Sequence, residues 1–331
     1  LFTLQIKYYV SKSIKITLAS VVLFFFVYLI YVNNINQKKI AEKDFAVENI
    51  ESIEKIFLSD RKGTNLTLIK EENGWKINNS YKVRNDAITT LLNTIREIKI
   101  QRPVSNSSYN NVIKQLATTG VKVEIYYKNK IKTYTVGGST TDHLGTYMLM
   151  ENAENPFIVH IPGFNGFLSP RYGIQGYELD LTNWRDNTIF QINAEEIEEI
   201  TLTNNIDINK SFKISAKPLK LFDLNGNLKK YNLNTIIEYY NLFTKIECER
   251  FKGFDVDISS EKKLYKLQIK HKGKIDVLDV FSFSKRNNNK NQSEPNVERM
   301  YARLNGGEYM LIQKYVFNKV FISIDDFAEN L

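Results

Sequence analysis

From Ile16 to Val32 the chain reads ITLASVVLFFFVYLIYV, a run without a charged residue. At about 1.5 Å per residue, a helix of this length crosses most of a hydrocarbon layer about 30 Å thick. A helix apolar on every side has no face to give to water, so the run predicts a transmembrane anchor over 16–32 behind a short cytoplasmic segment, 1–15. Tyr31-Val32-Asn33-Asn34 lacks the small residues of a cleavage site, which favours an uncleaved signal anchor. Residues 33–48 are polar with helical composition and read as a stalk. A single span with a long polar-surfaced body behind it places the N-terminus in the cytoplasm and the body in the periplasm, so a single-pass inner-membrane protein is expected.

Beyond the stalk the periodicity changes and then repeats. Ile53, Glu54, Ile56 and Leu58 recur as Ile197, Glu198, Ile200 and Leu202, at an offset of 144. Two helical faces follow in the same order, Ile88, Leu91, Leu92, Ile95 and Ile98, then Ile236, Tyr239, Tyr240, Phe243 and Ile246. Asp86 and Asn234 stand before them as expected side-chain N-caps, and Arg102 and Arg250 close them. Val121-Lys122-Val123-Glu124-Ile125 alternates as a half-buried strand does and opens a hairpin, mirrored by Leu264–Lys270 with Ile275–Phe283. The expected architecture is α+β: a transmembrane helix, then two tandem copies of a unit with a mostly antiparallel sheet and a helix on one face. The boundaries read as 49–178 for the first repeat, 179–193 for the junction and 194–331 for the second repeat.

Composition changes this picture little. A net charge of +8 and a pI near 9.1 would suit an anionic partner, but lysines alternate with glutamates along the chain, as on a solvated surface, so nucleic acid is not expected. The single Cys248 forms neither an internal disulfide nor a thiolate metal cage. His143, His160 and His271 stand far apart without metal-binding spacing, and no cofactor motif is present. Ser139, Asp142 and His143 have the residue types of a hydrolase triad, but neighbours on one turn are not expected to reach its geometry. Gly137-Gly138-Ser139-Thr140-Thr141 lacks the ending of a phosphate-binding loop and reads as a strand-to-loop turn. No catalytic residue is assigned.

The segment from Ile161 to Tyr177 gathers glycine, proline and aromatics in a chain of only 15 Gly and 6 Pro. Aromatic and Arg side chains anchor interfaces, so Phe164, Phe167, Arg171, Tyr172 and Tyr177 are the candidate partner surface. Trp184, Arg185 and Asp186 read as a structural junction, with Trp184 wedged between the copies and Arg185 paired to a carboxylate.

The N-terminal span, Trp75 after two short strands, Val136-Gly137-Gly138, Gly145-Thr146-Tyr147 and Trp184-Arg185-Asp186 together resemble the uncharacterised family known as domain of unknown function 4340, in its Bacteroidetes version. The resemblance covers most of the body and includes no catalytic motif. Related domains stand beside auxiliary subunits of ABC transporters, including those linked to gliding motility. That association implies a role in a cell-envelope complex. The expected function is therefore a non-enzymatic, inner-membrane-anchored periplasmic subunit or scaffold whose partners are other envelope membrane proteins and, through residues 16–32, the bilayer. The alternatives are a periplasmic solute- or glycan-binding receptor with its ligand between the copies, and an envelope hydrolase.

Overall fold

Alternation of apolar and polar residues builds this chain into antiparallel sheet. The computed structural model describes residues 20–21, 23–33, 41–287 and 292–328, which divide into two compact units, 1–185 and 186–331. The predicted leading segment, residues 16–19 and 22 of the predicted span, and residues 34–40 of the predicted stalk lie outside the described residues. Among the described residues no helix is long and apolar enough to cross a membrane. The expected α+β chain with a transmembrane helix, and the single-pass inner-membrane placement built on it, are corrected accordingly. The described body is mostly antiparallel sheet with few helices. The stalk reading also fails at its end: Phe45 and Val47 are buried in the first unit's core, and Lys132 pairs with Asp44 at 2.8 Å.

The first unit runs β1 (Ile53–Ser59), β2 (Asn65–Glu71), β3 (Gly74–Ile77), β4 (Tyr81–Lys82), α1 (Asn85–Glu97), β5 (Lys99–Pro103), α2 (Asn106–Thr119), β6 (Val121–Tyr127), β7 (Lys130–Ser139), β8 (Thr146–Met150) and β9 (Phe157–His160). The nine strands are ordered β4-β3-β2-β1-β6-β7-β8-β9-β5. Strands β4 and β5 are the two edges, so α1 carries the chain from one edge to the other. It buries Ile88, Leu91 and Ile95 as it does so. The opposite face is covered by α2, whose Val112 and Leu116 pack with Val104 and Ile158 in a separate cluster. That packing depends on a glycine: a Cβ at Gly137 would lie 2.7 Å from Leu116 Cδ2. Helices therefore stand on both faces here, not on one.

The second unit runs β10 (Ile197–Asn204), β11 (Phe212–Ala216), β12 (Leu219–Phe222), β13 (Leu228–Lys229), α3 (Leu233–Asn241), β14 (Arg250–Gly253), β15 (Lys263–His271), β16 (Lys274–Phe281), β17 (Arg299–Leu304) and β18 (Tyr309–Gln313). Its sheet is ordered β13-β12-β11-β10-β15-β16-β17-β18-β14, the order of the first sheet shifted by nine strand numbers. The correspondence extends to irregularities. The β1–β6 ladder slips between Ile53 and Lys55, and the β10–β15 ladder slips between Ile197 and Glu199. Both following hairpins turn through two residues with positive φ, Lys128-Asn129 and Lys272-Gly273. Val47 N–H donates to the Ile95 carbonyl, and Ile192 N–H donates to that of Phe243.

The units differ at the helix starts and on one sheet face. The N-caps are Arg84 and Asn232, two residues before the expected Asp86 and Asn234, and only Asn232 makes a side-chain capping bond. No helix joins β14 to β15. Phe281 follows the buried Val280 as Gly137 follows the buried Val136, and aromatic pairs pack there, Phe281 with Tyr309 at 6.3 Å and Phe283 with Tyr301 at 4.8 Å. A short strand pair, Ser284–Asn287 with Gln292–Pro295, is inserted before β17.

Candidate partner-binding site

The connection from Ile161 to Arg185 is pinned to the first unit along its length. Leu168 is fully buried, its N–H donating to Thr146 Oγ1 at 2.6 Å, and Ser169 Oγ donates to the Gly137 carbonyl at 2.7 Å. A 3₁₀ turn, Ser169–Tyr172, brings the Tyr172 hydroxyl to 2.9 Å from that of Tyr134, with the rings edge-to-face at 6.2 Å. Burial pushes the pKa of both phenols well above the ordinary tyrosine value. Ile174–Gln175 and Glu178–Leu179 then pair across the two-residue turn Gly176-Tyr177. Asp60 fixes the end of this hairpin by accepting the Leu179 N–H at 3.1 Å, while Lys62 and Thr64 donate to its other oxygen. Burial would raise the Asp60 pKa, but these backbone donors outweigh it and hold the carboxyl below its ordinary value.

These contacts re-sort the sequence-expected surface. Tyr172 is completely buried and cannot face a partner; a Gly- and Pro-rich segment shields its largest rings by folding them onto the sheet. Phe164 packs partly against the core with the Arg171 guanidinium 4.9 Å from its ring centroid, and Arg171 Nε donates to Thr94 Oγ1 at 2.7 Å. Phe167 is half-buried, 6.0 Å from the His143 ring. Tyr177 alone of the five is well exposed, at 47%. Trp184 belongs to the core of the first unit, where Val83 bridges to Arg185 and Arg84 N–H donates to the Trp184 carbonyl at 2.8 Å. Arg185 stacks over the Tyr81 ring at 3.8 Å. Asp186 opens the second unit and accepts from the Thr188 N–H and hydroxyl at 3.0 and 2.7 Å.

Two hollows flank the connection, and different residues of it line each. One, of about 210 Å³, lies over the Gly137-Gly138 bulge of β7 between Phe167, Ile174 and Tyr177. Tyr177 holds φ 72°, a region costly for a large L side chain, and its ring lies across Gly138, where a Cβ would approach Tyr177 Cε1 to 3.2 Å. The other, of about 270 Å³, lies between the start of α1 and the connection, lined by Arg84, Asp86, Arg171, Gln175, Asn183 and Trp184. The Arg84 guanidinium bonds Asp86 at 2.6 Å and holds that carboxyl below its ordinary value. In the second unit a hollow of about 420 Å³ is lined by Asp223, Lys229 and Asp325 among others.

The turn brings Ser139 and His143 together without forming a triad. Ser139 Oγ and His143 Nδ1 stand 3.0 Å apart, because His143 takes φ 58° and turns back toward the strand. The Asp142 carboxylate bonds the Thr140 hydroxyl and the Leu144 N–H, so it does not complete a triad. Among the described residues no group of three or more His, Cys, Asp or Glu could hold a metal ion.

The family described as Domain of unknown function (DUF4340) matches residues 75–269, from Trp75 in β3 to Ile269 in β15. No curated protein and no solved structure matches the chain.

Proposed function

The chain belongs to the DUF4340 family, and from that premise we propose that it is a non-enzymatic scaffold subunit of a cell-envelope assembly of the Bacteroidetes type, attached by protein contacts made on the connection of the first unit. One observation carries this reading: a rigidly pinned connection holds Tyr177 in a strained backbone conformation while leaving its ring half-exposed beside a groove floored by two glycines. Strain spent on a solvent-facing ring brings little to the fold, whereas an immobilised aromatic beside a groove is what an interface anchor requires. Phe167 lines the same groove.

The test is photo-crosslinking from position 177 in the native host, followed by capture with Tyr177→Ala. Truncating an anchor costs about 2 kcal/mol, a fall of roughly thirtyfold in affinity. The captured partner should be lost while the melting temperature stays within a few degrees. Retention of the partner by Tyr177→Ala refutes the reading.

A further inference from the structure

The hollow at the start of α1 is walled by donors. Arg84 and Arg171 bring two guanidinium groups, and Gln175 and Asn183 bring amides. α1 is a helix of 13 residues whose N-cap, Arg84, makes no side-chain capping bond, so the positive end of its dipole is not satisfied by a capping side chain. A second observation is independent of the helix. Trp184 is 1% exposed, yet its indole Nε1–H has no hydrogen-bond partner among the described residues. A buried donor without an acceptor is rare in a folded protein and asks for an explanation. That N–H lies against Gly173, where a Cβ would sit 2.4 Å from Nε1, and Gly173 lines the same hollow. A bare Cα at φ 71° is what keeps a side chain from closing over the indole edge.

The charges decide the ligand class. Two arginines against one carboxylate, Asp86, leave the wall with one net positive charge. This balance suits a singly charged group, whereas a phosphate of about −1.5 to −2 would meet the Asp86 carboxylate at a larger cost. The volume, about 270 Å³, is small for a whole cofactor and ample for an ionised group with a short stem. We propose that this hollow binds a carboxylate, presented by an acidic side chain or chain terminus of the partner, between the Arg84 and Arg171 guanidiniums with the Trp184 indole N–H as a further donor. The inference rests on the partner-binding reading of the connection and names the chemistry that this face selects.

Acetate is the probe, with the full chain labelled at tryptophan indole nitrogen. Trp75 and Trp184 are the two tryptophans of the chain, so two indole signals appear, and Trp75→Phe assigns them. The Trp184 indole proton should shift saturably with acetate while that of Trp75 stays put. Arg84→Gln and Arg171→Gln, read separately so that a misfolded variant leaves the other informative, should each raise the midpoint at least tenfold. Absence of a saturable shift, an unchanged midpoint in both variants, or inorganic phosphate saturating the site at lower concentration than acetate overturns the proposal. The titration needs no partner, so its failure refutes the carboxylate site alone, and retention of the partner by Tyr177→Ala refutes the docking face alone.

Discussion

The Tyr134–Tyr172 hydrogen bond ties the connection to the centre of the first sheet, and its energetics can be isolated. Both side chains are buried, at 1% and 0% exposure, and the two hydroxyls meet at 2.9 Å. Tyr172→Phe removes one oxygen and leaves the other hydroxyl without water or partner, a penalty of about 1–3 kcal/mol. Tyr134→Phe does the same from the other side. The double variant removes both polar atoms and keeps both rings, so its cost should stay below about 1 kcal/mol. The singles therefore sum to more than the pair, with a coupling of at least about 1 kcal/mol. Urea unfolding followed by tryptophan fluorescence is the assay, since both tryptophans lie in the first unit and the signal reports that unit. With a urea slope of about 1–3 kcal/mol/M, each single should lower the midpoint by roughly 0.5–1 M and the double should return most of the way to wild type. A double variant as unstable as the sum of the singles would refute the assignment and place the stability of the connection in ring packing alone.

Gly137→Val should cost about 1–3 kcal/mol in the first unit by forcing a Cβ to within 2.7 Å of Leu116 Cδ2 and 3.0 Å of the Tyr147 carbonyl. Hydrogen exchange should then rise across Asn106–Thr119 and stay unchanged across Leu233–Asn241. Acid should loosen the connection through Asp60. Its folded pKa is depressed below the ordinary 3.8, so its contribution is complete above about pH 4 and is lost as pH falls through the folded value. Trp184 fluorescence between pH 5 and 2 should show this transition, and Asp60→Asn should remove it.

What was legible in the sequence was whatever period-two and period-3.6 patterning specifies on its own. Ile53, Ile56 and Leu58, and their matches Ile197, Ile200 and Leu202, are fully buried or nearly so and occupy corresponding strands of the two sheets, because alternation fixes which side of a strand faces the core. What was not legible depended on tertiary partners. Phe45 and Val47 sit in a polar run, and tertiary partners such as Tyr134 and Phe157, at 5.9 and 6.3 Å from Phe45, make that run part of the core. The Asn- and Ser-rich stretch Asn106–Thr119 has only Val112 and Leu116 buried, too narrow a stripe to announce a helix. Gly137-Gly138 suggested a loop, yet it is the site where β7 bulges and a helix comes close to the sheet. The candidate surface was half legible: residue types marked Ile161–Tyr177 as unusual, but a sequence does not say which rings a connection folds inward. Tyr172 went in and Tyr177 stayed out because the turn Gly176-Tyr177 needs positive φ at both positions and points the second side chain back over the glycines. The same glycines set the two units apart in structure. Where the first unit has Gly137, the second has Phe281, which fills that sheet face with its own aromatics. The glycine-floored groove and its strained tyrosine are therefore features of the first unit's own sequence, laid over a strand order that both units share.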